Sequence, residues 1–408
     1  MYYHRVWADI DLAALAFNLH QISALVPSNT AIMPVLKADA YGHGAVRIAR
    51  YIQKEHLCRN WNIWGFGVGD SNEALELRAA GIDMPILILG AIIEDEISKV
   101  IKNDISVCVH SERRAELLDR EAHRQKKTCR VHLMIDTGMG RLGIFPSRAL
   151  DLARIIASSK GLIFEGALTH CSCTSDLENP FTSVQKSRFL QVKQVLSDVG
   201  IYPEFFHASN SGALFASRTD PCNLVRPGIA LYGICGSRPY EECPPLKPVM
   251  ALKSQIIYMK DVPKDTPIGY DRLHITKQAT RIATLPIGYN DGYPYRLSNR
   301  GQVLLKGKVA PVVGAVSMDY TMIDVGHIEG AVVGDLVTLI GQDGEASIKV
   351  ESLAEWADTI PYEIPCRIGK RVSRLVVNGD GESEDQARGS ERKPAEKDDE
   401  PGVELEAF

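Results

Sequence analysis

Lys37 stands at the end of an apolar run, in the stretch AIMPVLKADAYGHG that covers residues 31–44. An ammonium at the carboxyl end of a buried strand is costly unless something compensates. One compensation is covalent, because a lysine amine condenses with aldehydes. The plain alternative is a strand-end lysine whose stem carries its charge to solvent. Later apolar runs also end in reactive residues. Asp136 opens the loop TGMGRLG, which holds Arg141. Its glycines lack the spacing of a dinucleotide fingerprint. Thr169 and His170 end another run, and His207 ends the next, followed by Ala-Ser-Asn-Ser with Ser211 at its close. Arg226 begins RPGIALYG, in which Gly228 and Ile229 could offer backbone amides. A serine opening a helix beside free amides is a natural phosphate site. A buried Arg226 needs a partner, for which His170 or an acidic ligand is available.

These residues need a scaffold that gathers them. Apolar runs recur at 63–68, 86–89, 105–109, 131–135, 162–168, 204–207 and 224–229, with amphipathic stretches between most of them. Phe189, Val192, Leu196 and Val199 share one helical face in the clearest of these stretches. With the Lys37 strand, the runs predict a parallel (β/α)8 TIM barrel, each strand followed by a helix or a helix start. Such a barrel collects chemistry at the carboxyl ends of its strands. Asp11 reads as the cap of a first helix, where Leu12, Leu15, Leu19 and Ile22 recur at helical spacing. Past residue 238 prolines cluster, and alternating Val/Ile/Thr-rich runs separated by Gly and Asp turns predict a mostly β C-terminal domain over 239–378. Residues 379–408 are charged and nearly free of apolar side chains, which reads as a disordered acidic tail.

The 408 residues carry a net charge of -5, which argues against nucleic acid as the default partner. No apolar run approaches a membrane span, and the first residues lack the pattern of a signal peptide. Nine scattered cysteines read as free thiols in a reducing cytoplasm. Cys171 and Cys173 have no second cluster at ligand spacing, so no metal site is expected. Gathered at one barrel mouth, an amine, a phosphate cradle and two arginines suit a phosphorylated aldehyde cofactor, pyridoxal 5'-phosphate, bound through Lys37.

Several separated motifs then carry a resemblance: WADIDLAAL, VLKADAYGHG, DTGMGRLG, HASNS, RPGIALYG, IGYNDGYPYRLSN, APVVGAVSMDY and TIPYEIPCRIGKRV. The chain resembles the alanine racemases, pyridoxal-phosphate enzymes of fold-type III, from Arg5 to about Asn378. The resemblance implies a cytoplasmic homodimer that interconverts L- and D-alanine and supplies D-alanine for peptidoglycan. It implies that Lys37 binds the cofactor and acts as one catalytic base, with Tyr270 from the partner subunit as the other. Arg226 would face the pyridine nitrogen, buttressed by His170. Tyr41, Ser211, Gly228, Ile229 and Tyr362 would hold the phosphate. Arg141 would orient the substrate carboxylate, with Met318, Asp319 and Tyr289 contributed by the partner.

Some positions depart from the family pattern. Met134 stands where many members have a lysine whose carbamate holds the orienting arginine, so Arg141 would need another carboxylate or a bound anion. The segment after Tyr270 is DRLHIT, Tyr295 precedes Arg296 where an arginine is common, and Ala315 and Tyr320 are also unusual. These changes fall at the substrate entrance. They leave open a serine or broad-specificity racemase as the alternative, with a fold-type III decarboxylase further off.

Overall fold

The computed structural model describes residues 5–174, 179–216, 222–236 and 243–379. Strand β1 (Val6–Asp11) leads into α1 (Leu12–Leu25), which Asp11 caps by accepting the Ala14 N–H at 2.8 Å. The barrel strands follow: β2 (Ala31–Ile32), β3 (Phe66–Val68), β4 (Ile86–Ile88), β5 (Ser106–Val109), β6 (Cys129–Met134), β7 (Leu162–Leu168), β8 (Phe205–His207) and β9 (Leu224–Val225). Strands β3 to β8 pair in sequence order, all parallel, and β9 pairs with β2. Parallel bridges from Ile32 to Ile63, Val35 to Gly67 and Asn210 to Arg226 complete the ring. The expected barrel is therefore present. Its strands are short where Pro34, which has no N–H to give, interrupts the ladder before Lys37.

The helices between strands are α2 (Lys37–Gly42), α3 (Ala45–Glu55), α4 (Ser71–Ala79), α5 (Ile97–Lys102), α6 (Glu112–Gln125), α7 (Ala149–Ser158), α8 (Phe181–Asp198) and α9 (Ser211–Ala216). On α8, Phe189, Val192 and Leu196 are buried as expected, but Val199 caps the helix and is exposed. The last strand differs from expectation too. Among the described residues, only a 3-10 turn, Ile229–Tyr232, lies between β9 and the next strand. Helix α1 packs there instead, and the buried Asn18 amide donates to Leu231 O at 3.0 Å and Lys247 O at 2.8 Å. The helix that precedes the barrel thus fills the place left after its last strand.

Past residue 249 the chain is mostly β. Strand β10 (Met250–Gln255) pairs antiparallel with β1, and Ser373–Val377 pairs parallel with β1 from the other side. The chain's first strand therefore lies in the sheet built by its last third. Cys235 and Cys243 form a disulfide, which corrects the expectation that every thiol is free. The chain brings their Cα atoms to 6.3 Å, within the span a disulfide bridges. The expected acidic tail, from residue 380 on, lies outside the described residues.

Candidate active site

Lys37 opens α2, and the residues after it are left-handed. Ala38, Asp39, Ala40 and Tyr41 have φ of 53°, 53°, 55° and 52°. A left-handed turn of L-residues costs about 1–2 kcal/mol per residue, so it persists only where the surroundings impose it. Glu73 supplies much of that constraint, accepting the Ala38 N–H at 2.6 Å and the Gly69 N–H at 2.7 Å. The Asp39 carboxylate accepts the Ala45 N–H at 2.7 Å. His43 donates from Nδ1 toward Tyr41 O and Ala40 O, at 2.8 and 3.0 Å, and stacks on Tyr232. Burial pushes the His43 imidazole down to about 4, so it stays neutral. Nothing in Ala-Asp-Ala-Tyr favours positive φ, so the sequence gives no sign of this turn.

The turn points Lys37 into the mouth and swings Tyr41 beneath it. The Lys37 Nζ lies 5.9 Å from the Tyr41 ring centre, which is itself 6.5 Å from that of Tyr362. A Cβ at Gly228 would come within 2.5 Å of the Tyr41 hydroxyl, so only glycine fits there. The Ser211 Oγ accepts the N–H groups of Gly228 and Ala230, at 2.9 and 3.3 Å. With both lone pairs used, its own proton is left to donate. The Gly228 N–H is turned to Ser211, whereas the Ile229 N–H begins a 3-10 turn and has no acceptor inside it. Tyr41, Ser211, Gly228, Ile229 and Tyr362 are brought to one rim.

Arg226 is 3% exposed. Among the described residues, its guanidinium donates to the His207 Nδ1 at 2.9 Å, to His207 O and Thr169 O at 2.7 Å, and to Ala208 O at 3.1 Å. His207 thus supplies an imidazole acceptor to the guanidinium. Strand β8 ends with His207 facing the barrel interior, whereas His170 lies on the loop beyond β7 and approaches Asn210 at 3.4 Å. His170 senses the mouth's charge. Burial, then Arg226, Arg141 and Lys37, press its pKa down to about 3. Burial and the same arginines also lower the pKa of Lys37, against the opposing influence of Cys366 and Glu73. The opening is therefore a cationic space suited to an anion.

The loop that carries Arg141 is folded around Asp136, whose carboxylate accepts the N–H groups of Gly138, Met139 and Gly140 at 2.9 to 3.1 Å. Helix α8 clamps the same loop, with Arg188 donating to Thr137 O and the buried Gln185 donating to Thr137 Oγ1 and His170 O. Met134 packs in an apolar cluster with Met33, Leu87, Cys108 and Leu168. Arg141 is exposed.

Residues 10–236 match the family described as "Alanine racemase, N-terminal domain", and residues 249–376 match "Alanine racemase, C-terminal domain". The chain belongs to the alanine racemase family. It is 41% identical to the alanine racemase of Geobacter sulfurreducens over 91% of this chain and 97% of the relative. The alanine racemase of Halothermothrix orenii is 40% identical over 91% and 97%. Among solved structures, alanine racemase from Clostridium difficile 630 superposes with a TM-score of 0.86 at 34% identity, covering 92% of this chain and 97% of that one. The enzyme from the D-cycloserine producer Streptomyces lavendulae gives 0.86 at 32% identity, covering 93% and 98%.

The remaining predicted site residues of this racemase-family chain form a second group on the β region. Tyr270 is 70% exposed, Met318 52% and Tyr289 46%. Tyr289 and Asn290 donate their N–H groups to Ser317 O and Met318 O, which ties the two loops together. Gly269 packs on Ala315, and Gly288 packs too closely on Ser317 O and Met318 O to take a side chain. The Asp319 carboxylate accepts from Arg371 Nη2 at 2.8 Å, and Arg371 Nε also binds the buried Asp291 at 2.9 Å. Tyr289, Tyr295 and Arg296 line a cavity of about 490 Å³ with Asp358, Glu363 and Arg367. Tyr295 and Arg296 therefore sit beside Tyr289. Glu73, Gln185 and Arg371 escaped the sequence reading, because each acts through backbone or loops that only the fold brings near.

Proposed function

We propose that the chain binds pyridoxal phosphate at the barrel mouth and, as a homodimer, interconverts L- and D-alanine. The observation that carries this reading is that Lys37, Arg226 and the Ser211–Ile229 cradle open onto one mouth. The residues fit the cofactor: the Ser211 hydroxyl proton and the Ile229 N–H suit a phosphate, and Gly228 leaves the room that a Cβ would close. When bound, the cofactor makes the α-hydrogen of an amino acid acidic.

The chain's own residues then divide the work. Lys37, its amine made less basic by burial and nearby arginines, exchanges a proton on one face of the substrate α-carbon. The partner subunit's Tyr270 does so on the other face. Arg226 has donors only and holds no removable proton at neutral pH, so it would present a fixed cation to the ring nitrogen. That disfavours protonation of the nitrogen. Arg141 and the partner subunit's Met318 N–H receive the substrate carboxylate. The exposed Tyr270, Tyr289 and Met318 support the dimer, since a racemase needs groups on both faces and one mouth supplies one side. The reading places the enzyme in the cytoplasm, where D-alanine feeds peptidoglycan synthesis.

Chiral analysis of L-alanine and L-serine incubated with protein and pyridoxal phosphate tests this. Rapid D-alanine formation, little D-serine and a large loss in Tyr270→Phe are expected. Comparable D-serine would mean that the altered entrance has broadened specificity, and no racemisation with cofactor bound would overturn the reading.

A further inference from the structure

A line of four polar side chains crosses the barrel interior below the mouth. Arg226 Nη1 lies 2.9 Å from His207 Nδ1, His207 Nε2 lies 2.8 Å from His132 Nδ1, and His132 Nε2 lies 3.1 Å from Glu165 Oε2. His132 and His207 are wholly buried, Arg226 is 3% exposed and Glu165 6%.

The two ends fix the direction of every bond. Arginine can only donate, so His207 Nδ1 accepts and its proton sits on Nε2. That proton points at His132 Nδ1, which must be bare, so His132 carries its proton on Nε2. This second proton meets the Glu165 carboxylate, which accepts. The line is satisfied throughout with two neutral imidazoles, a cation at one end and an anion at the other.

The fold is built to hold it. The pairing of β6 with β7 shifts between Val131 and His132: Val131 opposes Phe164, His132 opposes Gly166, and Glu165 is the extra residue. A bulge re-aims the side chain it carries. Gly166 then makes room for the ring, because a Cβ there would lie 2.4 Å from His132 Nδ1. Ser106 Oγ donates to Glu165 Oε2 at 3.1 Å, Arg130 approaches Oε1 at 3.4 Å, and Trp64 meets His132 edge-on. Hydrogen bonds from His132 and Ser106, with Arg130 nearby, keep Glu165 below the usual carboxylate range despite its burial. Apolar filling would have closed this space more simply, since a buried ion pair is by itself weak support for stability.

We propose that Glu165 and His132 are positioning residues that lock His207 as its Nε2–H tautomer and thereby hold Arg226 in place against the cofactor ring. This rests on the reading that Arg226 faces the ring nitrogen. The carboxylate dictates the direction from the far end, so that Arg226 meets an acceptor and never a competing N–H. A carboxamide at 165 could donate as well as accept. It would let the line run backwards and turn His207 Nδ1–H against the guanidinium.

The test is nitrogen NMR of protein labelled with 15N-histidine, with and without pyridoxal phosphate, for the wild type and Glu165→Gln. In the wild type, His132 and His207 should each show the proton on Nε2 alone, whether or not cofactor is present. In E165Q both tautomers of His207 should appear, and kcat should fall about tenfold with KM little changed. A purely structural role would lower the melting temperature but leave the tautomers fixed. A wild-type Nδ1–H at His207, or an E165Q protein with an unmixed tautomer and full kcat, overturns the proposal. The wild-type spectrum decides on its own should E165Q fail to fold. Tautomers as stated in a protein that racemises nothing would support the lock and sink the assigned reaction.

Discussion

The Tyr41 hydroxyl fills the space above Gly228 that any side chain there would need, the nearest approach to a Cβ being 2.5 Å. One contact thus joins the left-handed turn after Lys37 to the rim where Ser211 and Ile229 meet. Gly228→Ala should push the phenol off the rim, at a cost of about 1–3 kcal/mol in cofactor binding. Titration of cofactor-free protein with pyridoxal phosphate, followed by absorbance, measures this. Affinity equal to that of the wild type would show that the rim relaxes freely.

Glu73 should prove to be the strut of that turn. Glu73→Ala leaves the Ala38 and Gly69 N–H groups without their acceptor, costing about 1–3 kcal/mol for each group that water does not reach. Glu73→Gln keeps one acceptor oxygen and should lose roughly half as much. Denaturant unfolding of the pair gives the comparison, and equal losses would assign the effect to charge instead.

Lys37 titrates below its ordinary value of 10.5 through burial and then Arg141, with Arg226 adding to the effect. A cation removed from an amine's neighbourhood favours the protonated form and raises the pKa. In cofactor-free protein, the pH profile of Lys37 reactivity toward an amine reagent should therefore shift to higher pH in Arg141→Gln. A shift to lower pH would contradict the electrostatics described above.

His43 is neutral in the fold, with a pKa lowered from 6.5 to about 4. The unfolded chain takes up this proton first as pH falls. Its contribution to stability is thus complete above pH 6.5 and is lost as the pH drops from there toward 4. Urea midpoints across this window should fall less steeply in His43→Gln, by up to about 1.4 kcal/mol per pH unit. A slope unchanged from the wild type would mean that His43 is protonated in the native state.

Met134 offers Arg141 no charge, and the carboxylate in its loop, Asp136, is occupied by three backbone amides. An anion between Met134 and Arg141 would restore the missing partner. Replacing chloride by gluconate at constant ionic strength should raise the KM for alanine while leaving cofactor affinity alone. Indifference to chloride would show that Arg141 is oriented without an anion.

The sequence by itself determined the barrel, because parallel strands buried on both faces must be nearly unbroken apolar runs, and eight of them are spaced for crossovers. It also determined the amine at residue 37, the Ser211 and Gly228 turn residues and the β character of the last third, since each depends on residue type at short spacing. Tertiary structure decided the rest. The first strand's place in the last sheet, and α1's place behind β9, depend on chain ends meeting in space. The left-handed run at 38–41 is imposed by Glu73, distant in sequence, against local preference. The contact of Arg226 with His207 depends on His207 ending a strand that points inward. Strand alternation placed His132 with it, and a one-residue bulge delivered Glu165. Such a bulge leaves no mark in composition, because it is a matter of register between two strands, and register is fixed only when the sheet closes.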